Sequence, residues 1–178
     1  VWDSDAADDL PGYTGQVTLR ITPADDDGSG VPAEVVVDID NNYPPSVTII
    51  TAPPDPSSGP VQVELSLSDT ENDTCSITVE FSTDGQNWSL ATPATGSCPT
   101  SGLAPGTYTY IWDSLVDLGY ADYAEVYLRI TPADTKPGTP ETTGPFSVNN
   151  NEKPSVAIDT PSGEQSDDVT INYTVYDS

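Results

Sequence analysis

Apolar and polar residues alternate along most of this chain in short runs, and clusters of Pro, Gly, Asp, Asn and Ser separate one run from the next. In one run Val61, Val63, Leu65 and Leu67 fall on one side, with Gln62, Glu64, Ser66 and Ser68 on the other. Ile77, Val79 and Phe81 repeat the pattern, and Val17, Leu19 and Ile21 show it near the start. Side chains of an extended strand alternate between faces, so a period of two predicts strands with one buried face. No stretch carries the apolar period of a helix, and almost no helix is predicted. Asp84-Gly85, between two such runs, predicts a hairpin turn.

The runs themselves recur. Leu19 to Asp25 reads LRITPAD, and Leu128 to Asp134 reads LRITPAD again 109 residues later. VWDS at Val1 to Ser4 returns as IWDS at Ile111 to Ser114, and PPSVTIIT at Pro44 to Thr51 returns as KPSVAIDT at Lys153 to Thr160. A fixed period of this length marks a module that is repeated and stacked on its neighbours. Residues 43–150 hold one complete module, whose seven predicted strands are SVTII, VQVELSLSD, CSITVEFS, WSLAT, GTYTYIWDS, EVYLRIT and GPFSV. Residues 1–42 match the last part of a module: a stub at Val1-Trp2, then QVTLRIT and AEVVVDID. Residues 151–178 match the first part of the next. The predicted fold class is all-β, as tandem seven-stranded Greek-key sandwiches, one complete and two partial. A remnant of two or three strands is not expected to be stable alone. The chain is therefore expected either to be an excerpt of a longer polypeptide or to be completed by strands from neighbouring chains.

Seven strands in this order resemble the fibronectin type III and immunoglobulin-like modules of bacterial and archaeal surface proteins. The first junction is also similar to the end of a cadherin repeat, where an A-x-D-x-G-x-P segment, a strand and D-x-N-D-N-x-P follow one another. Here Ala24-Asp25-Asp26-Asp27-Gly28 and Pro32 precede the strand, and Asp38-Ile39-Asp40-Asn41-Asn42-Tyr43-Pro44 closes it. The second junction departs from the pattern, since Ser147-Val148-Asn149-Asn150-Asn151-Glu152-Lys153-Pro154 has asparagines where carboxylates would sit. The resemblance implies a sandwich module in a surface array.

Composition narrows the function. Four Lys and Arg stand against 29 Asp and Glu, a formal charge of −25 with no histidine. Nucleic-acid binding needs a basic footprint, which is missing, and an anionic membrane repels such a surface. No apolar run approaches the roughly 18 residues that cross a bilayer, so no membrane insertion is expected. Charge of this density opposes compaction. It requires counterions, either screening salt or divalent cations between carboxylates. Many prolines and glycines between short alternating runs, with abundant Thr, Val and Tyr, fit an extracellular all-β protein.

Adjacent modules of this type bring acidic loops together at each junction. At the first these are Asp3, Asp5, Asp8 and Asp9, then Asp38, Asp40, Asn41 and Asn42 of the linker, then Asp69, Glu71, Asp73 and Asp134 of the following module. Asp113, Asn149 and Asp177 hold the matching places at the second. Ca²⁺ takes about six to eight hard oxygen ligands, so Ca²⁺ at the module junctions is the candidate cofactor. The alternative is that these are solvated turn residues. Asp69-Thr70-Glu71-Asn72-Asp73 is the leading stretch, because alternate carboxylates project to one side.

Cys75 opens the third strand and Cys98 lies between the fourth and fifth. Strand parity puts both at one end of the module, where a disulfide closing about 23 residues would contribute ~3 kcal/mol in the chain-entropy model. Free thiols or a metal site are the alternatives, and zinc is poorly supported without histidine. Arg20 and Arg129 occupy the same place in LRITPAD, and Glu80 is the expected cross-strand partner of Arg129. Ser82 to Trp88 is similar to the Asp-box of sialidase propellers, but it occurs once and is one residue short. It is read as a hairpin with Trp88 folded onto the core, and Trp2 and Trp112 are assigned to the core at equivalent strand positions. Asn72, Asn87 and Asn172 head Asn-x-Ser/Thr sequons, which permit glycosylation.

No catalytic arrangement emerges, since histidine is absent and the carboxylate pairs lie in turns with no pocket to raise a pKa. The expected function is mechanical and not enzymatic: an extended acidic rod, stalk or surface filament. Its expected partners are neighbouring repeats or identical subunits, with any cell-surface or glycan ligand held by other parts of the protein. One alternative is a filament subunit completed by strand exchange. Another is an accessory carbohydrate-binding module of a secreted hydrolase, which needs exposed aromatics in a flat patch; Tyr120, Tyr123 and Tyr127 are its candidates.

Overall fold

The computed structural model describes residues 1–6 and 9–177. Asp8, one of the predicted junction acids, lies outside the described residues. In the leading part, β1 (Thr14–Ile21) pairs antiparallel with β4 (Ala33–Asp40), and the short strands β2 (Ala24–Asp25) and β3 (Gly28–Ser29) form a hairpin between them. The complete module contributes β5 (Ser46–Thr51), β6 (Pro60–Ser68), β7 (Cys75–Ser82), β8 (Ser89–Leu90), β9 (Ser101–Leu103) and β10 (Gly106–Asp113). Helix α1 (Ser114–Leu118) follows, then β11 (Asp122–Ala133), β12 (Glu141–Thr142) and β13 (Phe146–Asn149). In the trailing part, β14 (Ser155–Ile158) pairs antiparallel with β15 (Tyr173–Tyr176).

Two antiparallel sheets make the complete module an all-β sandwich. One has the order β10-β6-β5; the other runs β12-β11-β7-β8, with β13 also on β11 and β9 also on β7. The alternation seen in the sequence decides what lies between them. Val61, Val63, Leu65 and Leu67 of β6 share one core with Ile77 and Val79 of β7 and with Val126, Leu128 and Ile130 of β11. Trp112 is fully buried and stacks on Phe81, with ring centroids 5.1 Å apart. Withdrawing each such side chain from water contributes roughly 1.5–3 kcal/mol, so this layer carries the module.

Three details differ from the sequence reading. Trp2, the counterpart of Trp112, is 40% exposed, and its indole N–H donates to Asp9 Oδ2 at 3.0 Å. Residues 1–42 bring no opposing sheet to cover it, and Val1-Trp2 forms no strand. Trp88 is not in the core; the Arg129 guanidinium lies over its ring, 4.2 Å from the centroid, on the outer face of the β7–β11 pair. The predicted strand EVYLRIT stops before Pro132, whereas β11 runs through Pro132 to Ala133. Pro132 pairs with Ile77, whose own N–H points away to the Thr100 carbonyl, so the missing proline N–H leaves no bond to β7 unmade.

The outer parts are covered far less. Val35 and Val36 of β4 are more than half exposed, as are Val156 and Ile158 of β14 and Tyr173 and Val175 of β15. In the complete module Val47, Leu65 and Leu67, the counterparts of Val156, Tyr173 and Val175, are buried against a second sheet, and among the described residues β14–β15 has no such cover.

Candidate functional site

Residues 40–45 carry the chain from the leading part into the complete module; one loop of that module grips them and a second lies beside them. The first loop, 134–138, follows β11. Its Lys136 Nζ donates to Asp40 Oδ1 at 2.6 Å and to the Asn42 carbonyl at 2.8 Å. This ammonium holds the Asp40 carboxyl below the usual carboxylate range. Asn42, only 7% exposed, donates from Nδ2 to Asp134 Oδ2 at 2.9 Å and to Thr135 Oγ1 at 3.1 Å. Asp134 is itself held by the Lys136 backbone N–H at 2.6 Å. Behind these groups Gly138 lies against the linker backbone, where an added Cβ would sit 1.9 Å from the Pro45 carbonyl oxygen. The loop needs glycine there for close approach.

The second loop, 69–73, follows β6. Asp69 Oδ1 accepts the backbone N–H groups of Glu71 at 3.1 Å and Asp73 at 2.8 Å. Asn72 adopts φ 64° in that turn, a conformation its short polar side chain tolerates. Glu71 lies over Gly12 of the leading part; a Cβ at Gly12 would be 2.5 Å from Glu71 Cγ. Beside it, the Tyr43 hydroxyl donates to Asp5 Oδ2 at 2.9 Å. The Asp5 carboxylate above all, then burial, Glu71 and Asp3, raises the Tyr43 phenol above its ordinary value. Asp5, Pro11, Tyr43, Thr70 and Glu71 line a pocket between the two parts.

This second side is incompletely neutralised. Asp69 Oδ2 and Glu71 Oε2 are buried and have no hydrogen-bond partner among the described residues. A buried acceptor without a donor costs about 1–3 kcal/mol, more when charged, so a donor or cation that reaches either oxygen is favoured there. Among the described residues, no group of three or more His, Cys, Asp or Glu side chains is arranged to hold a metal ion.

The other predicted ligands are dispersed. Asp3 Oδ1 accepts the Asp5 N–H, and Asp38 pairs with Gln16 along the β1–β4 ladder. Asn41 is committed elsewhere, because its Nδ2 donates to the carbonyls of Ser4 and Leu10 at 2.8 and 2.9 Å. Asp73 is exposed at the end of its loop. Asp113 caps α1 by accepting the Val116 N–H, and Asn149 pairs with Asp122. Asp177 lines a shallow surface pocket with Glu152, Lys153, Ser155 and Tyr176.

The cysteines form no bridge; both are free. Cys75 pairs with Leu103, and the Ile77 N–H bonds Thr100, so the antiparallel course carries residue 98 along β7 away from Cys75. The Cys98 N–H bonds Thr109 on the other sheet. Strand parity placed both at one end, whereas the excursion through β9 separates them. Burial pushes both thiols up, and at Cys75 the carboxylates of Asp69, Asp134 and Asp73 add to it. Arg129 donates to Glu80 Oε2 from Nε at 2.9 Å and Nη2 at 2.7 Å, directly across the β11–β7 register. Of the three tyrosines considered for sugar stacking, Tyr123 packs against the core, Tyr127 is half-buried near Gly85, and Tyr120 is exposed.

Sequence reasoning missed Lys136 and Gly138, and it placed Asn42 at the junction as an oxygen ligand where its amide instead donates. One signal was available: Lys136 is one of only four basic residues in the chain, and it lies two residues after the repeated LRITPAD. Compared with known proteins, the chain matches no family model and no curated sequence.

Proposed function

We propose that this chain is part of an extended, acidic, extracellular tandem-repeat rod, a stalk or surface filament that holds successive modules at fixed spacing and angle. The observation that carries the reading is the grip on residues 40–45, whose carboxylate, amide and carbonyl groups are bonded into a loop of the next module. A linker meant to hinge freely does not need those bonds. The uncovered apolar faces of β1–β4 and β14–β15 support a partner module at either end, from the same polypeptide or from a neighbouring subunit. Ca²⁺ is the proposed cofactor of the first junction. Asp69 and Glu71 would supply carboxylate oxygens, and carbonyls or water the rest, because two carboxylates fall short of the set Ca²⁺ takes.

The test is thermal melting and small-angle scattering with Ca²⁺ or with chelator, on the wild type and on Glu71→Gln. Ca²⁺ is expected to raise the melting temperature of the wild type and not of the variant. An unchanged melting temperature and an unchanged solution length remove Ca²⁺ from the account. Scattering that shows a broad distribution of lengths under both conditions removes the rod.

A further inference from the structure

We infer that Lys136 is the built-in cation of this junction: its ammonium occupies, between the linker and the loop after β11, the position a bound metal would otherwise fill. The residue at this place in the repeat then sets whether a junction closes without metal. The inference rests on the reading of the junction as a stiff connection.

Three observations lead there. The Lys136 ammonium contacts one carboxylate oxygen, of Asp40, and one backbone carbonyl, of Asn42. Those are the oxygen types that hard cations take. The remaining anion on that side, Asp134, is already supplied with donors by the Asn42 amide and the Lys136 N–H. The carboxylates of this side are therefore supplied with donors, whereas on the opposite side Asp69 Oδ2 and Glu71 Oε2 have none among the described residues. Lastly, the two copies of the repeat differ at this place. LRITPAD is followed by Thr135-Lys136 in the second copy and by Asp26-Asp27 in the first, so Asp27 stands where Lys136 stands 109 residues later. A loop carrying Asp25, Asp26 and Asp27 cannot neutralise an acidic linker; it repels one.

The experiment is amide hydrogen exchange over residues 40–46 of the full chain, in chelator and in millimolar Ca²⁺, on the wild type, Lys136→Met, Lys136→Asp and Lys153→Asp. The last matches the added charge of Lys136→Asp at a position away from the grip. Wild type and Lys153→Asp are expected to keep the linker protected in chelator. Lys136→Met is expected to exchange roughly tenfold faster in both conditions, because exchange follows local opening. Lys136→Asp is expected to exchange fast in chelator and to regain protection with Ca²⁺. Protection of Lys136→Met equal to wild type overturns the clamp, as does loss of wild-type protection on chelation, which would leave a Ca²⁺-stiffened rod standing. Failure of Ca²⁺ to restore Lys136→Asp overturns the exchange of ammonium for metal. A wild-type linker unprotected in both conditions sinks the stiff junction itself, and the clamp with it.

Discussion

The linkers at 40–45 and 149–154 occupy the same place in the repeat, yet they are held differently. Where each leaves its own module the two agree. Asn41 donates to the carbonyls of Ser4 and Leu10 and accepts the Ser4 hydroxyl; Asn150 donates to the Ser114 hydroxyl and the Gly119 carbonyl and accepts from Gly59 N–H and Ser114. Where each enters the next module they diverge. The first is bonded through Asp40 and Asn42 to Lys136, Asp134 and Thr135. Among the described residues, no hydrogen bond or ion pair joins residues 152–177 to the complete module. The groups that grip a linker lie in the loop after β11, and residues 151–177 hold counterparts of β5 and β6 alone. The bonds made to the first linker thus need both the loop after β11 in the receiving module and the linker's own Asp40 and Asn42.

The shared exit clamp offers the largest effect. Asn150→Ala removes a buried amide and strands the Gly59 N–H, so it is expected to lower the unfolding free energy of the complete module by about 3 kcal/mol in a denaturant titration. Asn41→Ala, at the less buried counterpart, is expected to lose only about 1 kcal/mol. Equal losses would mean that the two exits are equally built. Next comes Gly138→Ala, which drives a methyl group into the Pro45 carbonyl. It should lose roughly 2 kcal/mol, in the range of overpacked sites, and broaden the distribution of lengths seen by scattering. Asn42→Asp sets a second carboxylate against Asp134 in place of an amide donor. A loss of about 1–2 kcal/mol is expected, read as faster exchange in residues 40–46 with no change around β14 and β15.

Acid should act on the first junction in a definite direction. Lys136 holds the Asp40 carboxyl below its ordinary value, so the charged pair contributes its full stability to the closed junction from above about pH 4 through neutrality. That contribution is lost as pH falls through the lowered value. Linker exchange measured from pH 6 downward should stay slow until the carboxylate range and then rise. A rise centred near neutrality would point to some other group.

Much of the complete module was legible in its residues. The alternation of β6 and β7 named the buried face, and the repeated phrase located β11 and placed Arg129 opposite Glu80. The buried face depends on a period of two, which is local, and the Arg129–Glu80 pairing on the strand order that the resemblance to sandwich modules implies. Trp88 and Trp2 were not legible in that way. One is drawn outward by a guanidinium on a neighbouring strand, and the other lacks an opposing sheet to bury it. The cysteine pairing failed for a related reason: parity says which face a residue is on, but not how far a loop carries its partner along the strand.

The acidic loops divide along the same line. By itself the sequence determined that this is a repeated all-β module with strongly acidic junctions, because strand faces, turns and charge are written residue by residue. Only the tertiary structure decided which acids meet a cation, which meet an amide and which are left without a donor. Asn42 and Asp134 are 92 residues apart in the chain, and Asp40 and Lys136 are 96 apart. Neutralising a charge depends on distances of a few ångströms, and those are set where a loop folds onto the linker.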